Sequence, residues 1–235
     1  MTVAALGPEE WEIVMLSLKV SLAAMLITLP LAFALAWVLA RWRFPGKLLL
    51  DAAVHLPLVL PPVVIGWMLL LTFGPAGPVG GMLERWLNLS VMFRWTGAAV
   101  AAGIMALPLM VRAIRLSIEA VDHRLEEAAQ TLGASPARCF FTILLPLSLP
   151  GIAAAFILGF ARSLGEFGAT ITFVSNIPGE TRTLSLAIYS ALQVPGADAA
   201  VWRLALISIG LSLGALLLSE ALARRTSATG TRHVL

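Results

Sequence analysis

Five runs of the chain contain no Asp, Glu, Lys or Arg: Val20 to Ala40, Ala52 to Leu83, Trp95 to Val111, Cys139 to Ala161 and Leu204 to Ser219. A helix needs about 20 residues at ~1.5 Å rise to cross a bilayer core, so each run, with its flanks, predicts a transmembrane helix. The first should be the simplest, with Trp11 on one flank and Trp37 and Trp42 on the other at headgroup level. The second is interrupted by Pro57, Pro61 and Pro62, each removing a backbone donor. A break at membrane depth is tolerated where neighbouring helices or a water-lined cavity satisfy the freed carbonyls, so this segment is expected inside the bundle, near a pathway. The alternative is a proline-kinked structural helix. Gly74-Pro75-Ala76-Gly77-Pro78 opens an outer loop, the third span is expected from about Thr96 to Ile114, and the fourth starts near Ile143. Residues 166–198 are broken by Asn176, Pro178, Gly179, Glu180 and Arg182, and read as an outer-side excursion with room for a short helix from Thr183 to Gln193, not as two more spans. The fifth span runs to about Leu222 and contains Gly210 and Gly214, a small-residue spacing that permits close helix packing or is coincidental in a glycine-rich chain.

Composition agrees. Of 235 residues, 59% are hydrophobic and 12% charged, with a mean hydropathy of +0.92, which excludes a soluble globular domain. Five spans put the termini on opposite sides. Arg41, Arg43 and Lys47, then Arg112, Arg115, Arg124 and Arg138, then Arg224, Arg225 and Arg232 all fall on one side, while the other carries Arg85, Arg94, Arg182 and Arg203. The richer side is cytoplasmic, which places the N-terminus outside and the C-terminus inside. The pI of about 9.7 therefore reports topology, and with no basic face interleaved with aromatics it calls for no nucleic-acid partner. Glu9, Glu10 and Glu12 precede any Lys and no small-residue cleavage site follows the first span, so that span is expected to be retained. Cys139 is the only cysteine, so no intrachain disulfide can form.

A polar island stands between the third and fourth spans. Asp122 is a good N-cap, and Leu125, Ala128 or Ala129, and Leu132 recur at helical spacing. Gly133 supplies a left-handed C-terminus, and Ser135-Pro136 reads as an N-cap followed by proline at the first helical position. The prediction is a helix, a tight glycine turn and a second helix running into the fourth span. Adjacent alanines leave little bulk, which suits insertion into a groove on another protein; the plainer alternative is an ordinary helical loop.

The full spacing is Glu127-Ala128-Ala129, three residues, Gly133, nine residues, Ile143, one residue, Leu145-Pro146. It resembles the signature of the membrane subunits of ATP-binding-cassette importers. The resemblance extends through Phe44-Pro45-Gly46-Lys47, the segment from His55 to Val64, Val121-Asp122 with Leu125-Glu126-Glu127, and Phe160 to Thr170, which look like the oxyanion branch of that family. Ile177-Pro178-Gly179-Glu180-Thr181-Arg182-Thr183 is similar to its molybdate permease subunits. The resemblance implies a type I importer permease fold: an all-α polytopic membrane protein, one permease domain over residues 1–235, about five transmembrane helices, and a cytoplasmic coupling loop at 116–141. It implies that Glu126, Glu127, Ala128, Ala129, Gly133, Leu145 and Pro146 couple to the ATPase. It also implies a homodimer in the bacterial inner membrane, in contact with lipid, with a separate ATP-binding subunit that carries ATP and Mg, and a periplasmic molybdate-binding protein. Sulfate and tungstate permeases share much of the pattern and remain the alternatives for the ion.

No cofactor is expected in this chain, because there is no G-x-x-x-x-G-K-[ST] for ATP phosphates. His55, His123 and His233 have no mutual ligand spacing, so no metal site is expected and each reads as structural or solvent-facing. No nucleophile and base pair for an intramembrane enzyme is visible, and no inverted repeat of a secondary transporter. Arg162 and Glu166 share a helical face near the outer end or middle of the fourth span, where ionisable groups should face the bundle interior. Either they form an ion pair that locks helix ends, or Arg162 attracts an oxyanion on a pathway where Ser163, Thr170 and Thr172 offer hydroxyls. Asp51, near Lys47, is expected to be solvated.

Overall fold

The computed structural model describes residues 7–230, and every regular element among them is helical. Arg232 and His233 lie outside the described residues, as do the side chains of Arg224 and Arg225. Helix α1 spans Pro8–Arg41; Pro8 occupies the first turn, where an N–H would be unpaired anyway, Pro30 is accommodated inside the helix, and the Glu10 carboxylate accepts from the Gly7 N–H at 3.0 Å. Helices α2 (Lys47–Val59) and α3 (Pro62–Phe73) meet at a 115° bend, because Leu60 and Pro61 are extended where consecutive prolines exclude helical backbone. The second apolar run is thus a bent pair, with the break at Leu60-Pro61 and Pro57 absorbed inside α2. Helix α4 (Pro78–Leu87) follows the glycine-proline turn, and α5 spans Trp95–Glu119. The hairpin holds α6 (His123–Thr131) and α7 (Pro136–Cys139); a π turn over Phe140–Leu144 joins α7 to α8 (Leu145–Leu164). Short helices α9 (Gly168–Val174) and α10 (Leu184–Leu192) precede α11 (Asp198–Gly230). Four helices, α1, α5, the continuous 136–164 helix and α11, are long and apolar enough to cross a membrane, and the bent pair makes a fifth if taken as one crossing.

Helix α5 is the centre. It packs on α1, α8, α9 and α2, and its small residues, including Gly97, Ala98, Ala101, Ala102, Gly103 and Ala106, are buried. Where apolar burial gives no advantage over lipid, helices associate through close van der Waals contact, which small side chains permit. A Cβ at Gly103 would stand 2.4 Å from the Thr28 Oγ1, and one at Gly159 would meet Met25 and Met110 at 2.5 and 2.9 Å. Gly210 and Gly214 do not act this way: nothing lies within 4 Å of a Cβ at either, and both line an open apolar groove of about 450 Å³ between α8 and α11. That spacing serves no close contact among the described residues.

Side-chain contacts fix the relative directions. Lys19 lies over the Trp95 ring, Thr28 faces Gly103 and Arg41 meets His123, so α1 and α5 run parallel. Ser163 donates to Ser21, Gly159 faces Met25 and Phe140 packs on Trp37, so α8 runs the other way. Leu204 packs with Ile13 and Val14 while Gly210 and Leu22 line one groove, so α11 runs with α1. The described chain therefore begins at one end of the bundle and finishes toward the other, as the odd number of spans requires.

Part of residues 166–198 departs from expectation. The short helix near 183–193 exists as α10, capped by Ser17, whose Oγ accepts from the Leu184 N–H at 2.7 Å. Residues 168–174, however, are inserted into the bundle as α9, with Phe173 and Val174 fully buried and α3 and α5 packed against them. Gly66 lets α3 touch the α9 backbone; a Cβ there would stand 2.6 Å from the Ala169 carbonyl oxygen. The returning chain is tied internally: Thr181, fully buried, accepts from the Ile177 N–H at 2.8 Å and donates to the Ser175 carbonyl at 3.1 Å. An inserted segment needs its polar groups satisfied in this way, and two of the interruptions that suggested an excursion are internal partners too, Asn176 donating to Ser190 at 2.5 Å and accepting from Arg182 at 3.2 Å.

Candidate functional site

The hairpin projects from the end of the bundle where α1 and α5 finish. Residues 116–119 are the last turn of α5, and α6 starts after Asp122, whose side chain accepts from the Arg124 N–H at 2.9 Å. Gly133 has φ +86°, a conformation L side chains avoid, and ends α6; the Ser135 side chain accepts from the Arg138 N–H at 3.3 Å and starts α7. Helix α6 buries no residue. Glu127, Ala128 and Gly133 are exposed, Ala129 is half-buried, and Leu132 is 89% exposed although apolar. On this face a glycine and alanines flank an uncovered leucine.

Glu126 behaves differently from Glu127. Its Oε1 accepts from Arg41 Nη2 at 2.6 Å, and Arg41 Nη1 lies 2.6 and 2.8 Å from the two ring nitrogens of His123. The Arg41 side chain is 10% exposed and that of Glu126 21%. Arg41 Nε is buried without a partner among the described residues, so the guanidinium is held by its two terminal nitrogens. Trp37, Trp42, Pro136 and Phe140 share with these groups a groove of about 290 Å³. Phe140 also meets Phe33 and Trp37 edge-on, with centroids 6.0 and 5.8 Å away. Cys139 is buried beneath α6, its Sγ 3.9 Å from the Glu126 carbonyl oxygen.

The π turn stands where the signature ends. Leu145 N–H donates to the Phe140 carbonyl, five residues back, and the next residue is Pro146, which has no N–H and whose ring crowds the carbonyl four residues before it. Leu145 is half-buried and Pro146 exposed. Leu-Pro therefore marks the joint between hairpin and span.

The second set of candidate residues sits at the opposite end of the 136–164 helix. Arg162 Nη1 lies 2.9 Å from Glu166 Oε2, with side chains 31% and 2% exposed, and Glu166 Oε1 accepts from the Ala169 N–H at 2.9 Å. Both carboxylate oxygens are thus used, one on α8 and one on the start of α9. Ser163 is buried and donates to the Ser21 Oγ at 3.0 Å, Thr172 donates to the Gly168 carbonyl at 2.9 Å, and Thr170 is buried. Glu166 thus links the end of α8 to the start of α9. Nearby, Arg182 and Arg203 are paired with Glu9 and Glu10 at 3.4 and 2.7 Å, joining the start of α1 to the α10–α11 region.

Asp51 is not simply solvated: it lies 3.4 Å from Arg115 and 3.3 Å from His55, linking α2 to α5. No group of His, Cys, Asp and Glu that could hold a metal occurs among the described residues. Arg41 entered the sequence argument only as a topology charge; its partnership with residues 82 and 85 positions away leaves no local signal.

Residues 11–228 match the family model described as the binding-protein-dependent transport system inner membrane component. The chain belongs to this family. It is 58% identical over 215 residues to the molybdenum transport system permease protein ModB of Escherichia coli K12, covering 92% of this chain and 94% of that protein. It is 60% identical over 210 residues to the protein of the same name from Haemophilus influenzae, covering 89% and 92%. A sulfate transport system permease protein, CysT of Salmonella typhimurium, is 42% identical over 159 residues, covering 68% and 57%. In fold, this inner membrane component is similar to a chain of a bacterial importer of the acidic polysaccharide alginate, with TM-score 0.72 and 19% identity over 94% of this chain and 80% of that one. It is a multi-pass membrane protein of the ABC-importer permease fold.

Proposed function

We propose that this chain is the membrane permease of an ATP-driven importer that carries molybdate across the bacterial inner membrane. The family and the extent of identity to the molybdenum permeases support the ion, since the sulfate relative is less similar over less of the chain. The observation that carries the mechanism is the exposed, glycine-turned hairpin whose Ala128 and Leu132 have no cover of their own. A separate ATPase subunit, which binds ATP and Mg, grips this hairpin through Glu127, Ala128, Ala129 and Gly133. The hairpin end is cytoplasmic by its excess of basic residues: Arg41, Arg43, Lys47, Arg112, Arg115, Arg124 and Arg138 gather there against Arg85, Arg94, Arg182 and Arg203 at the other end. The N-terminus is then periplasmic and the C-terminus cytoplasmic. Two copies enclose the pore on a two-fold axis, and a periplasmic binding protein delivers the oxyanion to the outer face. Closure of the ATPase pair on ATP draws the two hairpins together and turns the pore outward; hydrolysis returns it inward, a rigid-body alternation.

Reconstitution with the ATPase and binding protein, comparing ATP-dependent accumulation of molybdate, tungstate and sulfate, tests the ion; accumulation of sulfate in preference to molybdate refutes it. Gly133→Asp and Ala128→Trp are expected to leave the dimer folded and abolish uptake, and normal ATP-driven uptake by both refutes the docking surface.

A further inference from the structure

We infer that Arg41 is the positioning residue that ties the coupling hairpin to α1, so that displacement of α6 is delivered along α1 as well as into α5 and α8. This rests on reading α6 as the surface gripped by the ATP-binding subunit. Helix α6 has no buried residue and packs only on its own hairpin, over Cys139, and its chain connections are a short link at 120–122 and the glycine turn at 132–135. Among the described residues, every hydrogen bond that reaches α6 from outside the hairpin comes from Arg41. The guanidinium grips one turn of α6 at two points, Glu126 and His123, which lie three positions apart on one face. A planar fork does this where a lysine would offer one point charge. Arg41 stands at the C-terminus of α1, where a cation also complements the helix dipole, one turn beyond Trp37 and its contact with Phe140.

What α1 does with the motion follows from its other end. Its 34 residues make a rod of about 51 Å, and its first turn is bonded through Glu9 and Glu10 to Arg182 and Arg203. Charged contacts therefore fasten both ends of α1, Arg41 to the hairpin and Glu9 and Glu10 to the opposite end of the bundle. A helix coupled at one end only would transmit nothing; here both ends are fastened.

The test uses the whole transporter in proteoliposomes, with ATPase subunit and binding protein. Arg41→Gln is expected to assemble and to keep basal ATP hydrolysis, while molybdate accumulated per ATP falls about tenfold, the scale of one coupling contact. Arg41→Lys, with the charge but not the fork, should lie between, and the reversed pair Arg41→Glu with Glu126→Arg should recover coupling. An unchanged ratio in Arg41→Gln, or a reversed pair no better than Arg41→Gln alone, overturns the inference. Spin labels at the exposed Arg43 and Gln130 give a reading that needs no tether variant: their separation should stay constant between nucleotide-free and ATP-trapped states, and a change beyond ~5.4 Å, one helical turn, overturns it. If instead the ATPase subunit does not bind, or Ala128→Trp leaves it bound and transporting, the docking reading fails and the inference that rests on it falls with it.

Discussion

Gly66→Ala probes the backbone contact between α3 and α9. The added Cβ would stand 2.6 Å from the Ala169 carbonyl oxygen and 2.7 Å from the Thr172 Cβ. Ordinary contact begins near ~3.5 Å, so α9 would have to retreat by about 0.9 Å. It is poorly placed to do so, because Ala169 is bonded to Glu166, Phe173 and Val174 are fully buried, and Gly168 sits against Pro62. Overpacking of this kind costs about 1–3 kcal/mol, while glycine to alanine inside a helix gains about 0.5–1 kcal/mol. Gly214→Ala has the same helix gain and meets nothing within 4 Å, so the difference between the two variants isolates the clash. At roughly 2–4 °C per kcal/mol for a chain of this length, Gly66→Ala should melt about 2–12 °C below Gly214→Ala. The assay is intrinsic tryptophan fluorescence of the detergent-solubilised protein on heating. If Gly66→Ala melts with Gly214→Ala or above it, the contact is not closed as described.

Glu166→Gln should lower stability by about 1–2 kcal/mol, discounted for the partly exposed Arg162, and adding Arg162→Gln should restore both melting temperature and uptake; restored melting without uptake would show that Arg162 serves the pathway and not a lock. Pro146→Ala should let the π turn close, rotating Phe140 by about 100° relative to α8 and abolishing uptake while the ATPase subunit still binds; wild-type uptake would refute the joint. Gly133→Ala meets no atom within 4 Å, so its effect is backbone strain alone, about 1 kcal/mol, read as about fivefold weaker binding of the ATPase subunit; unchanged affinity would refute it.

Local chemistry was legible in the sequence where a residue acts on its own neighbours. Asp122, Gly133, Ser135-Pro136 and Pro61-Pro62 each dictate backbone within a few residues, and each does in the structure what its type requires. Four of the five charge-free runs likewise correspond to long helices, because burial in lipid acts on every position of a run; the second, with its prolines, is the bent pair. What escaped was pairing at a distance. Gly66, Gly151 and Gly159 lie at crossings, whereas the regular spacing of Gly210 and Gly214 faces open space, because a small residue matters only opposite a neighbour. Residues 168–174 looked peripheral, since an inserted segment keeps polar groups that it satisfies internally. The pairing of Arg41 with Glu126 spans 85 positions and has no pattern in either neighbourhood. At the candidate site, the glycine-turned hairpin could be foreseen, but which oxygens of Glu166 pair with Arg162 and with the Ala169 N–H could not, since the start of α9 reads in the sequence as part of an outer-side excursion.

The buried thiol of Cys139 gives the chain a built-in reporter. It is the sole sulfhydryl, 2% accessible, roofed by the peptide of Glu126. Maleimide modification of the unaltered polypeptide would thus be slow while α6 stays seated on α7 and quicken whenever the two part, so a stopwatch on one alkylation reaction reads the integrity of the hairpin with no engineered label.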